Sequence, residues 1–552
     1  MIDKRAKNIL GLIALSMIMF IVTLDSTITN IALPTITSFF KVNLTNSNWI
    51  STVYVLVLSV FIIPASKLAD QLGRKRMMLI GLVLFGLGSA LCGLARSLLF
   101  LILMRIVQGI GGAIATPIVI PLSVELFGRK KANQAVGIIG AVSAIAAAVG
   151  PPLGGLLIRL STWHAIFFVN IPVVMIAFGI IQLCFSESYD STISKKIDSL
   201  GMVLLSIGLF QLTFVLLKGY DDGWTSPIIL LMLAGTLLAF ILFVLLELRM
   251  KEPLIEFGLF RESTFMTSTL MYFMCGFSIV CSSVIFNFFL ENVRNFTPLH
   301  AAYIIMFTSI MVMVAMPLGS WFAQRHDYRP VIFIGILLTS FSLFMLVQLK
   351  INTSIFNMIL DMAVLGFGFG LNSLSIVSAV QFIPQVKAGI ASGMVNAARQ
   401  LGTCLGIALL VGMMGHNIDV AKTQIKNQAM TDIGQSQLQP VERRMIRNKL
   451  KEDFFQNNMT SSQLNIGDGK KLRSFQSDHH ELQTEKMMKK IQRDANTKIV
   501  AAFTKTFEIG GVIILMSSIF ALFTDRKRSS VDVDAENTKP LFSKKKSGER
   551  SK

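Results

Sequence analysis

Long apolar blocks dominate the sequence. Fourteen of them, each of about 20 to 30 residues, follow one another along the chain. About 20 apolar residues in a helix cross a hydrocarbon core of ~30 Å, whereas a membrane barrel would show short alternating strands. We therefore predict an all-α polytopic membrane protein. The predicted spans are 9–39, 47–66, 77–95, 98–127, 134–159, 165–185, 199–218, 227–247, 263–290, 300–322, 330–349, 354–380, 389–415 and 501–524.

The distribution of charge gives the orientation. Charged residues make up only 15% of the chain, against about a quarter in soluble domains. The net charge of +19 does not indicate a nucleic-acid partner, because cytoplasmic loops of membrane proteins collect lysine and arginine. With the N-terminus inside, the inner segments before the tail hold eighteen basic residues and the short outer loops hold six. We therefore predict cytoplasmic N- and C-termini in a multi-pass cell membrane protein surrounded by lipid.

Two charged residues stand out inside the predicted spans. Asp25 lies in FIVTLDSTITNIALP of span 1, and Arg105 lies in RIVQGIGGAIATP, about two turns into span 4. An ionised aspartate at the bilayer centre costs roughly 2.5–3.5 kcal/mol on insertion scales, and a buried arginine needs a partner. Ionisable residues at that depth usually mark a functional site, so both are candidate functional residues.

Two further motifs contain unusual residues. The loop between spans 2 and 3 reads PASKLADQLGRKRMM, where Gly73 permits a tight turn and Asp70 stands where an acid would cap the next helix. Arg74, Lys75 and Arg76 form a cationic cluster on the inner side. Span 5 carries AVGPPLGG, whose small residues permit close helix contact and whose prolines bend the helix.

These motifs resemble those of a known family. LADxxGRK between spans 2 and 3, RxxQGxGGA in span 4 and GPxxGG in span 5 look like signatures of the major facilitator superfamily. LDSTITNIALP, WHAIFFVNIP and VNAARQLGTCLG resemble its fourteen-span drug:proton antiporter subgroup. Ser66 stands where the family usually has glycine, and the second-half copy of the first motif, PLGSWFAQRHDYRP, is degraded. The cytoplasmic gate is therefore expected mainly in the N-terminal half.

The resemblance implies the superfamily fold, in which two six-helix bundles rock about a cavity near the midplane. It implies an N-terminal bundle at 9–185, two inserted helices at 199–247 and a C-terminal bundle at 263–524. We predict a long extracytoplasmic polar insert at 416–500 and a basic cytoplasmic tail at 525–552. The insert contains a predicted amphipathic helix, QPVERRMIRNKLKEDFFQN. It is either a solvated helical hairpin, or a lid or surface that handles substrate or lipid at the outer mouth.

The resemblance also places Arg105 near Asp25. Desolvation favours the neutral carboxyl and a nearby cation favours the charged one. An acid that a cavity alternately wets and dries would therefore bind a proton in one state and release it in another. Asp25 is predicted to couple proton movement, with Arg105 tuning it. Two alternatives are a permanent ion pair that only locks helices 1 and 4, and direct binding of a cationic substrate.

Other residues receive lesser roles. The predicted cytoplasmic gate comprises Asp70, Gly73, Arg74, Lys75 and Glu125, where Glu125 either pairs with Arg74 or is an ordinary helix-end acid. The antiporter motif of span 5 corresponds to Gly150, Pro151, Gly154 and Gly155. Asp361 is a candidate second proton or cation site, although snorkelling to the outer surface is favoured. Candidate cavity-lining residues, each also suited to an interhelical hydrogen bond, are Asn30, Gln108, Gln211, Asn287, Asp361 and Asn372.

The predicted function is proton-coupled export of amphipathic small molecules, such as lipophilic cations or neutral drugs, by alternating access. The alternatives are a dedicated exporter of one endogenous lipid, peptide or metabolite and, from another class, a transporter-like sensor or scaffold. No P-loop motif occurs, so an ATP-driven pump is not expected. The scattered histidines and the lack of a nucleophile–base arrangement argue against an enzyme. We expect a monomer that needs no cofactor or metal.

Overall fold

The computed structural model describes residues 4–42, 47, 49–188, 198–250, 255, 257–381, 383, 388–435, 443 and 478–524. Within these ranges the chain forms fourteen long helices, and each corresponds to one predicted span. Their bounds are α1 (Lys4–Phe40), α2 (Trp49–Leu72), α3 (Arg74–Gly93), α4 (Leu98–Phe127), α5 (Arg129–Leu160), α6 (Ala165–Cys184), α7 (Ser199–Asp222), α8 (Pro227–Glu247), α9 (Ser263–Asn292), α10 (Pro298–Arg325), α11 (Tyr328–Val347), α12 (Ile355–Val380), α13 (Ala388–Gly406, Ile407–Val411 and Gly412–Gln435) and α14 (Asp478–Ala521).

The helices have the length and composition of membrane spans. Among the described residues, 13 helices are long and apolar enough to cross a bilayer, and 14 if the two arms of α5 count as one span. Those arms, Gln134–Ala147 and Pro152–Leu160, meet at 48°. The bend falls at the predicted proline pair, because a proline within a helix removes one hydrogen bond and its ring clashes with the preceding turn. The predicted all-α fold is confirmed.

The first six and last six helices form two halves that meet through a few helices. α5 packs against α10, and α13 packs against α2 and α4, while α7 and α8 pack on each other beside α2. Gly140 lies against Met316, and Gln134 Nε2 donates a hydrogen bond to Gln324 Oε1 at 3.0 Å. These contacts lie towards the ends of α5 and α10 that carry the basic loops, so the halves touch on the predicted cytoplasmic side.

The last two helices are longer than predicted. α13 ends at Gln435 rather than at 415, and α14 begins at Asp478 rather than at 501. The two extensions pack together, with Lys490 Nζ 3.1 Å from the Asp432 carboxylate. The predicted insert therefore begins and ends as a pair of helices, which we call the paired stem (412–435 and 478–500). The predicted amphipathic helix at 439–457 lies outside the described residues, apart from Arg443.

Candidate functional site

The predicted pair of charges is brought together in the N-terminal half. Asp25 and Arg105 are both 0% exposed, and Arg105 NH1 forms an ion pair with Asp25 Oδ2. Arg105 Nε also donates to the carbonyl oxygen of Ile50 at 3.2 Å, which ties α4 to α2. Two ionised groups removed from water are stabilised only when such hydrogen bonds satisfy them, and both groups here have several.

Gln108, one turn beyond Arg105, joins the two charges. Its Oε1 accepts from Arg105 NH1 at 2.9 Å, and its Nε2 donates to Asp25 Oδ1 at 2.8 Å. Residues three apart on a helix lie on the same face, which lets Arg105 and Gln108 approach Asp25 together. Gln108, a candidate cavity-lining residue from the sequence, is hydrogen-bonded to both charges of the ion pair.

Two polar residues missed in the sequence analysis complete the cluster. Asn170 Nδ2, on α6, donates to Asp25 Oδ1 at 3.2 Å and to Ser89 Oγ at 3.0 Å. Ser89, on α3, also accepts from Gln108 Nε2 at 3.2 Å and donates to Phe167 O at 2.8 Å. Asn170 belongs to WHAIFFVNIP, so its depth within a predicted span was the available signal.

An aromatic ring covers the arginine. The Tyr54 ring centroid, on α2, lies 4.2 Å from Arg105 Cζ, a distance at which a cation is attracted to a ring face. Five helices, α1, α2, α3, α4 and α6, thus contribute side chains to one site. We call it the buried polar cluster, and its members are Asp25, Tyr54, Ser89, Arg105, Gln108 and Asn170.

The predicted gate residues meet near the start of α3. Asp70 lies in the last turn of α2 and pairs with Arg74 at 2.8 Å, so the expectation that it caps α3 is wrong. That role falls to Glu187, whose carboxylate accepts from the backbone N–H groups of Lys75 and Arg76 at 3.0 and 3.1 Å. Gly73 has φ 116°, a conformation that favours glycine.

The segment after α6 ties this region together. Arg74 N–H donates to Ser188 O at 2.8 Å, and Ser188 Oγ donates to Glu125 Oε2 at 2.5 Å. Lys75 Nζ donates to Gln182 O at 2.8 Å. α3, α4 and the end of α6 are therefore joined at the inner side. The predicted pairing of Glu125 with Arg74 stays a prediction.

The glycine motif of α5 packs against α1 close to Asp25. A Cβ on Gly150 would lie 2.1 Å from Thr27 Oγ1, and one on Gly154 would lie 2.8 Å from Ile28 Cγ1. Both glycines therefore allow a helix approach that a larger residue would prevent. Gly155 lies on the same helix, and the side chain of Pro151 lies outside the described residues.

The candidate cavity-lining residues are dispersed. Asn372 is 2% exposed and joins α12 to Met271 O of α9 at 3.5 Å. Asn287 Nδ2 bonds Glu291 Oε1 on its own helix at 3.1 Å. Gln211 lies against Gly235 between α7 and α8. The side chain of Asn30 lies outside the described residues.

Asp361 does not snorkel to the surface as expected. It is 5% exposed, and its backbone carbonyl accepts from Ser342 Oγ of α11 at 2.8 Å. Its carbonyl group thus faces the neighbouring helix, and tight packing of α11 on α12 keeps the residue buried. Its predicted role as a second proton or cation site stays a prediction.

Comparison with known proteins identifies the relatives of the chain. A family model described as Major Facilitator Superfamily matches residues 15–407. "Multidrug resistance protein Stp" of Mycobacterium tuberculosis (strain CDC 1551 / Oshkosh) is 32% identical over 406 residues, which is 73% of this chain and 75% of that protein. "Tetracenomycin C resistance and export protein" of Streptomyces glaucescens is 31% identical, covering 74% and 76%. "Riboflavin transporter RibZ" of Clostridioides difficile (strain 630) is 27% identical, covering 72% and 86%.

Among solved structures, the chain is similar to the human organic anion transporter MFSD10 (TETRAN). The TM-score is 0.54 with 14% sequence identity, over 75% of this chain and 94% of that one. At this identity the likeness concerns the fold, and it agrees with the arrangement of helices described above.

Proposed function

Since the chain belongs to the major facilitator superfamily, we propose that it is a proton-coupled antiporter. It exports amphipathic small molecules, such as lipophilic cations or neutral drugs, across the cell membrane by alternating access. The chain is a multi-pass membrane transporter rather than an enzyme. Its multidrug-resistance relatives support drug efflux. The inward movement of protons drives this export, and the transport cycle requires no cofactor.

The observation that carries this proposal is the buried polar cluster. The carboxylate of Asp25 accepts hydrogen bonds from three buried side chains, those of Arg105, Gln108 and Asn170. Protonation would remove the charge that holds Arg105, so the two states of the acid would favour two arrangements of α1 and α4. Each proton that moves inward contributes about 2.3 kcal/mol per 100 mV of membrane potential. It contributes about 1.4 kcal/mol more for each unit of pH difference across the membrane.

The contacts between the halves suggest which state is present. Gly137 lies against Ser320 and Gly393 lies against Ser66, in addition to the pairs described above. These contacts lie in the inner parts of α5, α10, α13 and α2. We propose that this arrangement is closed to the cytoplasm, the state in which an exporter releases substrate and takes up a proton from outside.

The test is ethidium efflux from energised cells, with and without a protonophore, with the Asp25→Asn variant alongside. The proposal expects wild-type efflux that stops with the protonophore, and a variant that is present in the membrane at wild-type level but loses efflux at least tenfold. Normal efflux by Asp25→Asn would contradict the assignment of Asp25.

A second candidate function is export of one endogenous compound. A relative named as a riboflavin transporter supports it, because that name indicates a single metabolite rather than a drug range. Efflux of ethidium would favour the multidrug function. Absence of ethidium efflux from well-expressed wild-type protein, together with gradient-driven export of one metabolite found by comparing culture media, would favour the dedicated one.

A further inference from the structure

The C-terminal half contains an arginine that differs from Arg105. Arg399 lies in α13, about 17 Å along the helix from Ala388 at ~1.5 Å per residue, near the middle of the predicted span. Its Nε is buried without a hydrogen-bond partner. In the described part of the chain, no acceptor forms a hydrogen bond with its guanidinium. The guanidinium instead lies near the ring of Tyr272 on α9, and the distance from Arg399 Cζ to the ring centroid is 5.8 Å.

The two arginines differ in their hydrogen-bond partners. The Arg105 guanidinium donates hydrogen bonds to Asp25, Gln108 and Ile50 O. Among the described residues, the Arg399 guanidinium has no comparable acceptors. A charge in the membrane interior is costly unless it is paired or faces a water-filled cavity. Arg399 therefore has hydrogen-bonding capacity and charge that this part of the protein leaves unused.

The position of Arg399 makes that capacity accessible. α13 packs against α9 of its own half and against α2 and α4 of the other half, so Arg399 lies on a helix at the junction. Thr403, one turn further, donates to Gly276 O at 3.1 Å and fixes α13 to α9 beside Tyr272. Arg399 and Tyr272 are both partly exposed. Because Arg399 Nε is buried, a solute at this junction would reach the outer nitrogens of the guanidinium.

We propose that Arg399 and Tyr272 form an anion-binding subsite for an aromatic acid group of the transported substrate. A guanidinium binds a carboxylate through two parallel hydrogen bonds, and a tyrosine ring packs against a planar ring at low entropic cost. The substrates then include zwitterions and aromatic acids besides cations and neutral compounds. The inference rests on the proposed exporter function, since it names a substrate class for that transporter.

The test uses two probes that differ only at the acid group: norfloxacin, which carries an aromatic carboxylate, and its ethyl ester. Binding of each is followed by probe fluorescence on purified full-length protein in nanodiscs of zwitterionic lipid, which exclude anionic headgroups as competitors. We expect the wild type to bind the acid about tenfold more tightly than the ester, because a tenfold ratio corresponds to one charge-assisted contact. Equal binding of acid and ester, or no binding of the acid, would overturn the proposal.

Two variants assign the discrimination to the subsite. Arg399→Gln should reduce the acid-to-ester ratio to about one, and Arg399→Lys should leave an intermediate ratio, because lysine keeps the charge and loses the planar fork. Tyr272→Leu should weaken both probes together. A ratio that survives Arg399→Gln would show that another group binds the carboxylate.

A structural role for Arg399 would give a different result. Arg399→Gln removes a charge that has no described hydrogen-bond acceptor, so its melting temperature should equal or exceed that of the wild type, whereas Arg105→Gln should lower it. A clear loss of stability in Arg399→Gln would indicate that Arg399 holds helices together.

Protonophore-sensitive ethidium efflux is measured separately from binding. Efflux without a difference in binding between acid and ester would contradict only the subsite. A difference in binding without efflux would contradict only the exporter function.

Discussion

Gln108 accepts a hydrogen bond from Arg105 and donates one to Asp25, at 2.9 and 2.8 Å. One neutral amide therefore contacts both charges of the ion pair. An amide in this position can follow either charge when the pair separates, and it prevents the buried charges from losing all partners at once. Gln108 and Arg105 therefore both link α4 to Asp25, one through a neutral hydrogen bond and the other through an ion pair.

The first prediction concerns this bridge. Gln108→Leu removes one donor from Asp25 and one acceptor from Arg105, so both charges stay buried with fewer partners. Leaving buried polar groups unsatisfied costs about 1–3 kcal/mol. We expect a lower melting temperature in detergent and a loss of protonophore-sensitive efflux. The matched control is Gln211→Leu, because Gln211 Oε1 has no hydrogen-bond partner among the described residues; an equal loss in both variants would contradict the bridge.

The second prediction concerns the support from α6. Asn170→Leu removes the donor shared by Asp25 and Ser89, and we expect efflux to fall about tenfold, equivalent to ~1.4 kcal/mol. The rate is measured per folded protein, quantified by size-exclusion fluorescence. Asn292→Leu is the control, because among the described residues the Asn292 amide bonds Phe288 O of its own helix and no residue of the buried polar cluster. Efflux that simply follows the amount of folded protein would favour a structural lock over a coupling site.

The third prediction concerns the approach of α5 to α1. Gly150→Ala places a methyl group 2.1 Å from Thr27 Oγ1, so either the Thr27 side chain or α5 itself must move, next to the turn of α1 that carries Asp25. Such overpacking typically costs about 1–3 kcal/mol, and we expect reduced efflux with reduced thermal stability. Gly179→Ala should leave both unchanged, since a Cβ there meets nothing within 4 Å. Wild-type efflux by Gly150→Ala would show that the close approach is not required.

The fourth prediction concerns the inner gate. Glu187→Gln removes the charge that binds the backbone N–H groups of Lys75 and Arg76 at the start of α3. Because the site is exposed, we expect the low end of the capping range, about 0.5–1 kcal/mol, measured as a decrease in melting temperature. Asp419→Asn serves as the control, since Asp419 is exposed in the paired stem, outside the predicted span. Equal stability of the two variants would show that Glu187 does not hold α3.

The parts of the molecule that depend on local physics were predictable. Span length and the cost of a charge in lipid are properties of short stretches, so the fourteen helices and the choice of Asp25 and Arg105 as candidate residues followed from the sequence. Ser89 and Asn170 were missed because single neutral polar residues are common in spans. Only the packing of α3 and α6 brings these two beside Asp25.

Long-range contacts account for the remaining differences. Glu187 caps a helix that begins more than a hundred residues earlier, and no spacing rule connects the two. Asp70 has the right position for a cap in sequence, yet α2 continues through it and places it opposite Arg74. Arg399 was overlooked because its stretch, VNAARQLGTCLG, indicated the family rather than a charge that lacks a hydrogen-bond acceptor among the described residues.

The paired stem has a mechanical consequence. Two helices that leave the membrane as continuations of α13 and α14, fastened by Lys490 to Asp432 and by Lys498 to Gln424, must turn with the half that carries them. Twenty residues of helix extend about 30 Å, so a tilt of about 10° at the bilayer displaces the far end by about 5 Å. On the predicted topology, a small rotation within the membrane would therefore become a larger displacement at the far end of the stem, which a spin label or fluorophore attached there would measure.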